Sequence, residues 1–168
     1  PANVPGTIYF GDGPAYEYHN APEKTESVRD PQGRGWTTLG DVGYVDDDGW
    51  LYLTDRQAFM IISGGVNIYP QEIEDCLVMH PKVADVAVFG VPDDEMGEAV
   101  HAAVQPAEGI DGDEALAGEL RSYVREHIAH FKCPQRFEFH DELPRLPTGK
   151  LYKNKLRSPH WDGREREI

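Results

Sequence analysis

From Phe59 onward the apolar residues change period from one segment to the next, and the order of those periods limits the chain to one class of fold. Phe59-Met-Ile-Ile62 is a short continuous apolar run broken by Gly64-Gly65, and Pro70 then opens a segment that carries Ile73 and Leu77 four residues apart on one helical face. Val83 to Val91 and Ala99 to Val104 alternate at period two, as strands do. Asp113 to Ile128 returns to the helical period, with Leu116, Leu120, Val124 and Ile128 on one face and Asp, Glu and Arg on the other. Phe137 and Phe139 alternate in a last short strand. A strand, a helix, two strands, a helix and a strand is an α+β order: a three-stranded sheet with flanking helices, not a regular doubly wound sheet.

Upstream the pattern is β-rich. Thr7-Ile-Tyr-Phe10 is a short apolar run, and residues 11–35 read as irregular loop. Trp36 to Leu39 and Val42 to Val45 alternate as strands. Asp46-Asp-Asp-Gly49 supplies an Asp-Gly turn, and Trp50 to Leu53 pairs back as a hairpin ending at Thr54-Asp55. The predicted division is therefore 1–54 as the tail of a larger domain, 55–157 as a small self-contained unit, and 158–168 as a charged, frayed tail.

Several function classes are disfavoured by charge and composition. Sixteen Lys and Arg against thirty Asp and Glu give a net charge of −14, which repels nucleic-acid backbones and anionic lipid. No apolar run approaches the roughly 20 residues of a membrane span, and the chain reads as cytosolic. Cys76 and Cys133 lack zinc or disulfide spacing. Of the seven histidines only His127 and His130 share a helix face, so no metal site is expected.

Pro144-Arg-Leu-Pro-Thr-Gly-Lys150 holds one lysine at the end of a stiff loop: two prolines fix φ, Gly149 permits a left-handed turn, and the ammonium is aimed outward as a point charge. Taken alone, Thr148-Gly-Lys150 is also an ordinary surface turn. Upstream stands Thr54-Asp-Arg-Gln-Ala-Phe-Met-Ile-Ile-Ser-Gly-Gly-Val-Asn-Ile-Tyr-Pro-Gln-Glu-Ile-Glu74, and before it Trp36-Thr-Thr-Leu-Gly-Asp41. Together these segments resemble the C-terminal part of the adenylate-forming enzymes, in particular the acyl-CoA synthetases (fatty acid–CoA ligases), along nearly the whole chain.

The resemblance implies a mobile C-terminal lid following a large domain that holds most of the ATP·Mg²⁺ site, the phosphate loop and the acyl pocket, so that the chain alone is inactive. It implies ATP, a carboxylic acid (a fatty acid) and CoA as substrates, and the large domain as partner. It makes Asp41 the ligand of the ATP ribose hydroxyls, Arg56 a donor beside the nucleotide, Asp55 the hinge, and Lys150 the catalytic cation of adenylation. Ser63, Gly64 and Gly65 line a path for the pantetheine arm, and Lys132 contacts the CoA phosphates. Leu39, Gln57-Ala58 and the lack of an Arg near Met96 depart from the family's usual pattern. Read without the resemblance, Asp41 also fits a turn Asp bonding its own backbone, Arg56 a surface ion pair with Asp55 or Glu72, and Lys132 a solvated lysine after a helix. An enzyme loading a carrier protein, and a non-catalytic binding module, are the alternative functions.

Overall fold

The computed structural model describes residues 2–13 and 16–164. The chain divides into two compact units, Pro1–Ala58 and Phe59–Ile168, a break a few residues beyond the Asp55 expected from the sequence.

The first unit is built on an antiparallel sheet in the order β1 (Gly6–Thr7), β2 (Asp41–Val45), β3 (Leu51–Arg56), with a short helix α1 (Pro22–Ser27) between the first two strands. The β2–β3 turn closes as its Asp-Gly pair requires: Asp46 Oδ1 accepts from the N–H groups of Asp48 and Trp50 at 3.0 and 2.8 Å, and Gly49 is left-handed at φ +86°. Two expectations are corrected here. Trp36 to Leu39 is not a strand; left-handed Gly35 and Gly40 interrupt the backbone on either side, and Thr37 forms only isolated bridges to Phe10 and Arg29. Residues 11–35 are not all loop, because Pro22 starts α1. At six residues that helix is too short to imprint a period.

The loop before Trp36 is tied by Asp30, which accepts from Arg34 Nε and Nη2 at 2.8 and 3.1 Å and from the backbone N–H groups of Gln32 and Arg34. The Arg34 guanidinium, ahead of the backbone donors, holds this carboxyl well below the usual carboxylate range. A pKa lower in the folded than in the unfolded state adds stability that is present above the unfolded value near 3.8 and is lost as the pH falls through the folded one. Acid unfolding of the first unit between about pH 4 and 2 should therefore be less steep in Asp30→Asn, at lower stability near neutral pH. Hydrogen exchange across that range checks this, and an unchanged pH slope would contradict it.

The second unit holds a five-stranded sheet. Its strands are β4 (Ile61–Ser63), β5 (Val66–Ile68), β6 (Val83–Asp93), β7 (Gly97–Pro106) and β8 (Arg136–Phe139), and its helices are α2 (Pro70–Val78), α3 (Glu114–His127) and α4 (Lys153–Arg157). Strands β5, β4, β7 and β6 follow one another antiparallel, and β8 pairs with β7 in parallel along His101–Val104. The expected three-stranded sheet is thus five-stranded: the apolar run at residues 59–62 pairs into it as β4, and β5 joins as the unexpected hairpin partner of β4. Pro70 sits at the start of α2, and the Asp113 side chain caps α3 by accepting from Leu116 N at 2.9 Å.

Alternation on β6 and β7 makes two cores, one on each face of the sheet. Val86, Val88, Val100, Ala102 and Val104 meet Ile73 and Leu77 of α2 and Leu116, Leu120 and Val124 of α3. Ala87, Phe89, Val91, Ala99 and Ala103 face the other way, onto Leu143, Leu151 and Leu156. The C-terminal segment therefore covers the face that the two long helices leave open. This corrects the expected frayed tail: Ser158–Trp161 is a 3-10 turn in which Trp161 Nε1 donates to Gly90 O at 3.0 Å, so one indole anchors an otherwise charged stretch. Residues 165–168 of that tail lie outside the described residues.

Candidate functional site

Cross-strand pairing brings Asp41 and Arg56 together in the first unit. Gly40, left-handed at φ +80°, feeds β2, and the antiparallel register sets Asp41 opposite Arg56. Arg56 Nε lies 3.2 Å from Asp41 Oδ1. Asp55 accepts the Arg56 backbone N–H at 2.6 Å, and the Arg56 side chain pairs across the ladder. The result is a half-buried carboxylate beside an exposed guanidinium, an arrangement able to bind a vicinal diol next to an anionic group.

In the second unit Pro144 to Tyr152 forms a tight hairpin. Tyr152 N donates to Pro144 O, Leu146 N to Lys150 O and Gly149 N to Leu146 O, each at 2.8 Å, with Gly149 at φ +84°. Arg145 clamps the tip, donating through Nη1 to Gly149 O at 2.7 Å while Nη2 pairs with Asp85 on β6. Leu143 and Leu151 fix the hairpin base to the sheet. Lys150 is exposed, and among the described residues its ammonium meets no carboxylate. A charge fixed at its backbone and unpaired at its tip is suited to an incoming anion.

The Gly64-Gly65 pair forms the two-residue turn of the β4–β5 hairpin, both glycines at positive φ (+56° and +78°). This is the conformation of a type I′ turn, closed to β-branched and most other residues. Gly64 N donates to Met96 O at 2.8 Å, and a Cβ on Gly64 would stand 2.7 Å from Met96 Cε. Gly64 and Ser63 line a cleft of about 490 Å³ whose other walls include Met96, Arg121, Arg125 and His130. Gly65 points into open space and is not part of the wall.

Lys132, expected at the CoA phosphates, is held by Glu72, whose two carboxylate oxygens lie 2.7 and 2.5 Å from Nζ. The cations at the cleft are instead Arg121 and Arg125 of α3. Sequence reading missed them because residues four apart on a polar helix face look like solvated surface; only the placement of the cleft distinguishes them. Cys133 also lines the cleft, but burial pushes its thiol up, as it does that of Cys76, so neither is a ready nucleophile.

The Lys150 hairpin lies on the Leu143–Leu151 face of the sheet, and the cleft lies on the α3 face. One small domain thus presents a cationic loop and an apolar-walled, basic cleft on opposite sides of a single sheet. Residues 72–150 match the family model described as the AMP-binding enzyme C-terminal domain, and homologues run across the adenylate-forming superfamily. The chain carries that C-terminal domain. It is 40% identical over 153 residues to the fatty acid–[acyl-carrier-protein] ligase ScoC of Streptomyces coeruleorubidus, covering 90% of this chain and 28% of ScoC. It is 42% identical over 144 residues to the long-chain-fatty-acid–CoA ligase FadD13 of Mycobacterium tuberculosis, covering 86% of this chain and 27% of FadD13. The crystal structure of ATP-bound MatB from Rhodopseudomonas palustris superposes with a TM-score of 0.80 at 35% identity, covering 96% of this chain and 31% of MatB. The chain therefore spans between a quarter and a third of the length of these proteins. Among the described residues no helix is long and apolar enough to cross a membrane.

Proposed function

We propose that this chain is the C-terminal part of an AMP-forming acid–thiol ligase that makes an acyl-adenylate and pyrophosphate from a carboxylate and ATP, then a thioester and AMP from the adenylate and CoA. The observation that carries the reading is the placement of the Lys150 hairpin and the Gly64 cleft on opposite faces of one sheet. A lid that rotates about Asp55 then presents one face for each half-reaction.

In the first half-reaction a carboxylate oxygen attacks the α-phosphate and pyrophosphate leaves, crowding negative charge between two anions. Lys150 lowers that barrier electrostatically and transfers no proton. Asp41 accepts the ribose hydroxyls, and Arg56 orients it from across the ladder. Mg²⁺ travels on the ATP phosphates and is assigned no ligand in this chain. In the second half-reaction the thiol sulfur attacks the acyl carbon, AMP departs as the leaving group, and the thiol proton passes to solvent or base. The pantetheine arm lies along Ser63, Gly64 and the adjoining turn, and Arg121 and Arg125 take the CoA phosphates. With its ammonium committed to Glu72, Lys132 supports the cleft from behind.

Likeness to the FadD13 ligase supports a fatty acid as the substrate. Likeness to ScoC supports a carrier-protein phosphopantetheine as the competing acceptor, and the arginine pair beside the cleft favours CoA, whose nucleotide carries the phosphates that a cationic cleft attracts. Stimulation of AMP release by free CoA, rather than by a carrier protein whose phosphopantetheine thiol is free, separates the two acceptors.

Gly64→Leu in the full-length enzyme should slow thioester formation by at least about tenfold while pyrophosphate release persists and acyl-adenylate accumulates. The new side chain enters the cleft wall and strikes Met96. A Cβ at positive φ also costs about 1–2 kcal/mol, so the melting temperature is measured alongside. Equal loss of both half-reactions would turn the reading toward simple destabilisation.

A further inference from the structure

Among the described residues, a group of three side chains able to ligate a metal lies around Glu138, on the face of the sheet that the C-terminal segment covers. Parallel pairing of β7 with β8 sets Glu138 opposite Ala103, which brings it diagonally beside His101 on the same face. His101 Nε2 is 3.2 Å from Glu138 Oε2. The 3-10 turn Ser158–Trp161 swings His160 over the same carboxylate, with Nε2 3.6 Å from Oε2 and its ring centroid 4.8 Å from that of His101. His140 Nε2 lies 3.1 Å from Oε1; that nitrogen is buried and, among the described residues, has no hydrogen-bond partner.

We propose that His101 Nε2, His160 Nε2 and Glu138 Oε2 form a binding site for one zinc-class divalent metal ion. The three ligand atoms lie within 4.8 Å of one another. A four-coordinate ion with bonds of about 2.0–2.1 Å holds neighbouring ligand atoms about 3.3 Å apart, so the two contacts of Oε2, at 3.2 and 3.6 Å, need only a few tenths of an ångström of adjustment, while the two imidazoles, within 4.8 Å of each other, must close further by rotation of the His160 side chain. Two imidazoles and one carboxylate are a ligand set for zinc and its neighbours in the first transition row, not for calcium or magnesium. Three protein ligands leave a fourth position for water. His140, whose Nε2 stands 3.1 Å from the second carboxylate oxygen without hydrogen-bond geometry to it, is a positioning residue that acts on Glu138 by packing and ion pairing.

Access is from a cleft of about 340 Å³ that reaches His160 between Asp93, Asp94 and Arg136. Arg136, opposite His101 in the ladder, and Arg164, which lines the cleft and donates to Asp94 at 2.8 Å, are cations that oppose binding. Phe89 stacks on His101 at 5.2 Å and backs the site with an apolar wall. The ion would clip β7, β8 and the C-terminal turn together, and the segment between Glu138 and His160 is the one that carries the Pro144–Lys150 hairpin. Its occupancy would therefore brace the Lys150 loop. This site stands independently of the acyl-transfer reading.

The test uses the whole 168-residue chain without a histidine tag, stripped with a chelator and titrated with Co²⁺. The expected result is one ion per chain with the visible bands of a four-coordinate site, bleached by equimolar Zn²⁺ and unaffected by millimolar Mg²⁺. His160→Asn and Glu138→Gln should each weaken binding by at least about 100-fold, and His140→Ala by about 10–100-fold, while His127→Asn leaves it unchanged. Zinc-edge X-ray absorption of the unmutated chain should count two imidazole nitrogens, a readout that does not depend on any variant folding. The proposal is overturned by the absence of four-coordinate bands, by several weak equivalent ions as an acidic surface would bind, by retained affinity in a folded His160→Asn chain, or by a zinc shell without imidazole.

Discussion

Acyl-adenylate formation in a full-length enzyme carrying Lys150→Ala should fall about 10²–10³-fold, the loss that follows removal of one preorganised donor at a developing charge. The size of the effect comes from the loop. Arg145 binds both Gly149 O and Asp85, and two backbone hydrogen bonds close Leu146 on Lys150 and Gly149, so the backbone that carries the ammonium is positioned before the substrate arrives. Its own stability cost should be small, because Lys150 is exposed and, among the described residues, pairs with no carboxylate. Pyrophosphate exchange is the measurement. A loss of less than tenfold, with the melting temperature held, would remove Lys150 from the reaction.

The second large effect is on stability. Glu74 is buried on α2, and its Oε1 accepts the Val88 N–H of β6 at 2.6 Å and meets Lys153 Nζ of α4 at 2.7 Å. The side chains of Glu74 and Lys153 are only 10% and 12% exposed. One carboxylate thus ties together a helix from one face of the sheet, the edge strand, and the C-terminal helix from the other. Removing one partner leaves the other largely buried charge without this ion pair, which costs about 3–5 kcal/mol. Lys153→Ala or Glu74→Ala should therefore lower the urea midpoint of the second unit sharply, and the Lys153→Met, Glu74→Met double replacement should recover part of the loss. A change under about 1 kcal/mol in either single variant would mean that water reaches the pair.

How much of this was legible in the sequence depends on the range of each signal. Helix α3 announces itself through four apolar residues at spacing four and an Asp cap, all within sixteen positions, and the structure begins it directly after Asp113. The hairpin turn at Asp46–Gly49 is equally local. Strand β5 was missed because three residues carry no period, although Gly64-Gly65 between Ser63 and Val66 is the composition of a two-residue hairpin turn. The charged C-terminus looked frayed because its one anchor, Trp161, finds its acceptor at Gly90, far back in the chain.

The candidate site follows the same rule. Asp41, Gly64 and Lys150 could be nominated because each sits in its own recognisable turn. What they touch could not: Asp41 meets Arg56 through strand register, Lys132 pairs with Glu72, sixty residues away in the chain, and Arg121 and Arg125 line the cleft only because α3 borders it. Glu74 and the histidines around Glu138 are assembled from three separate elements each. Sequence spacing alone, which led to no expected metal site, is blind to such groupings.

The division of labour between the two faces is tested most directly by supplying acyl-adenylate and CoA to the Lys150→Ala enzyme and timing thioester appearance in a single turnover. The account predicts a rate close to that of the unmodified enzyme, with Gly64→Leu slow in the same assay. Thioester formation lost in step with adenylation in Lys150→Ala would contradict it.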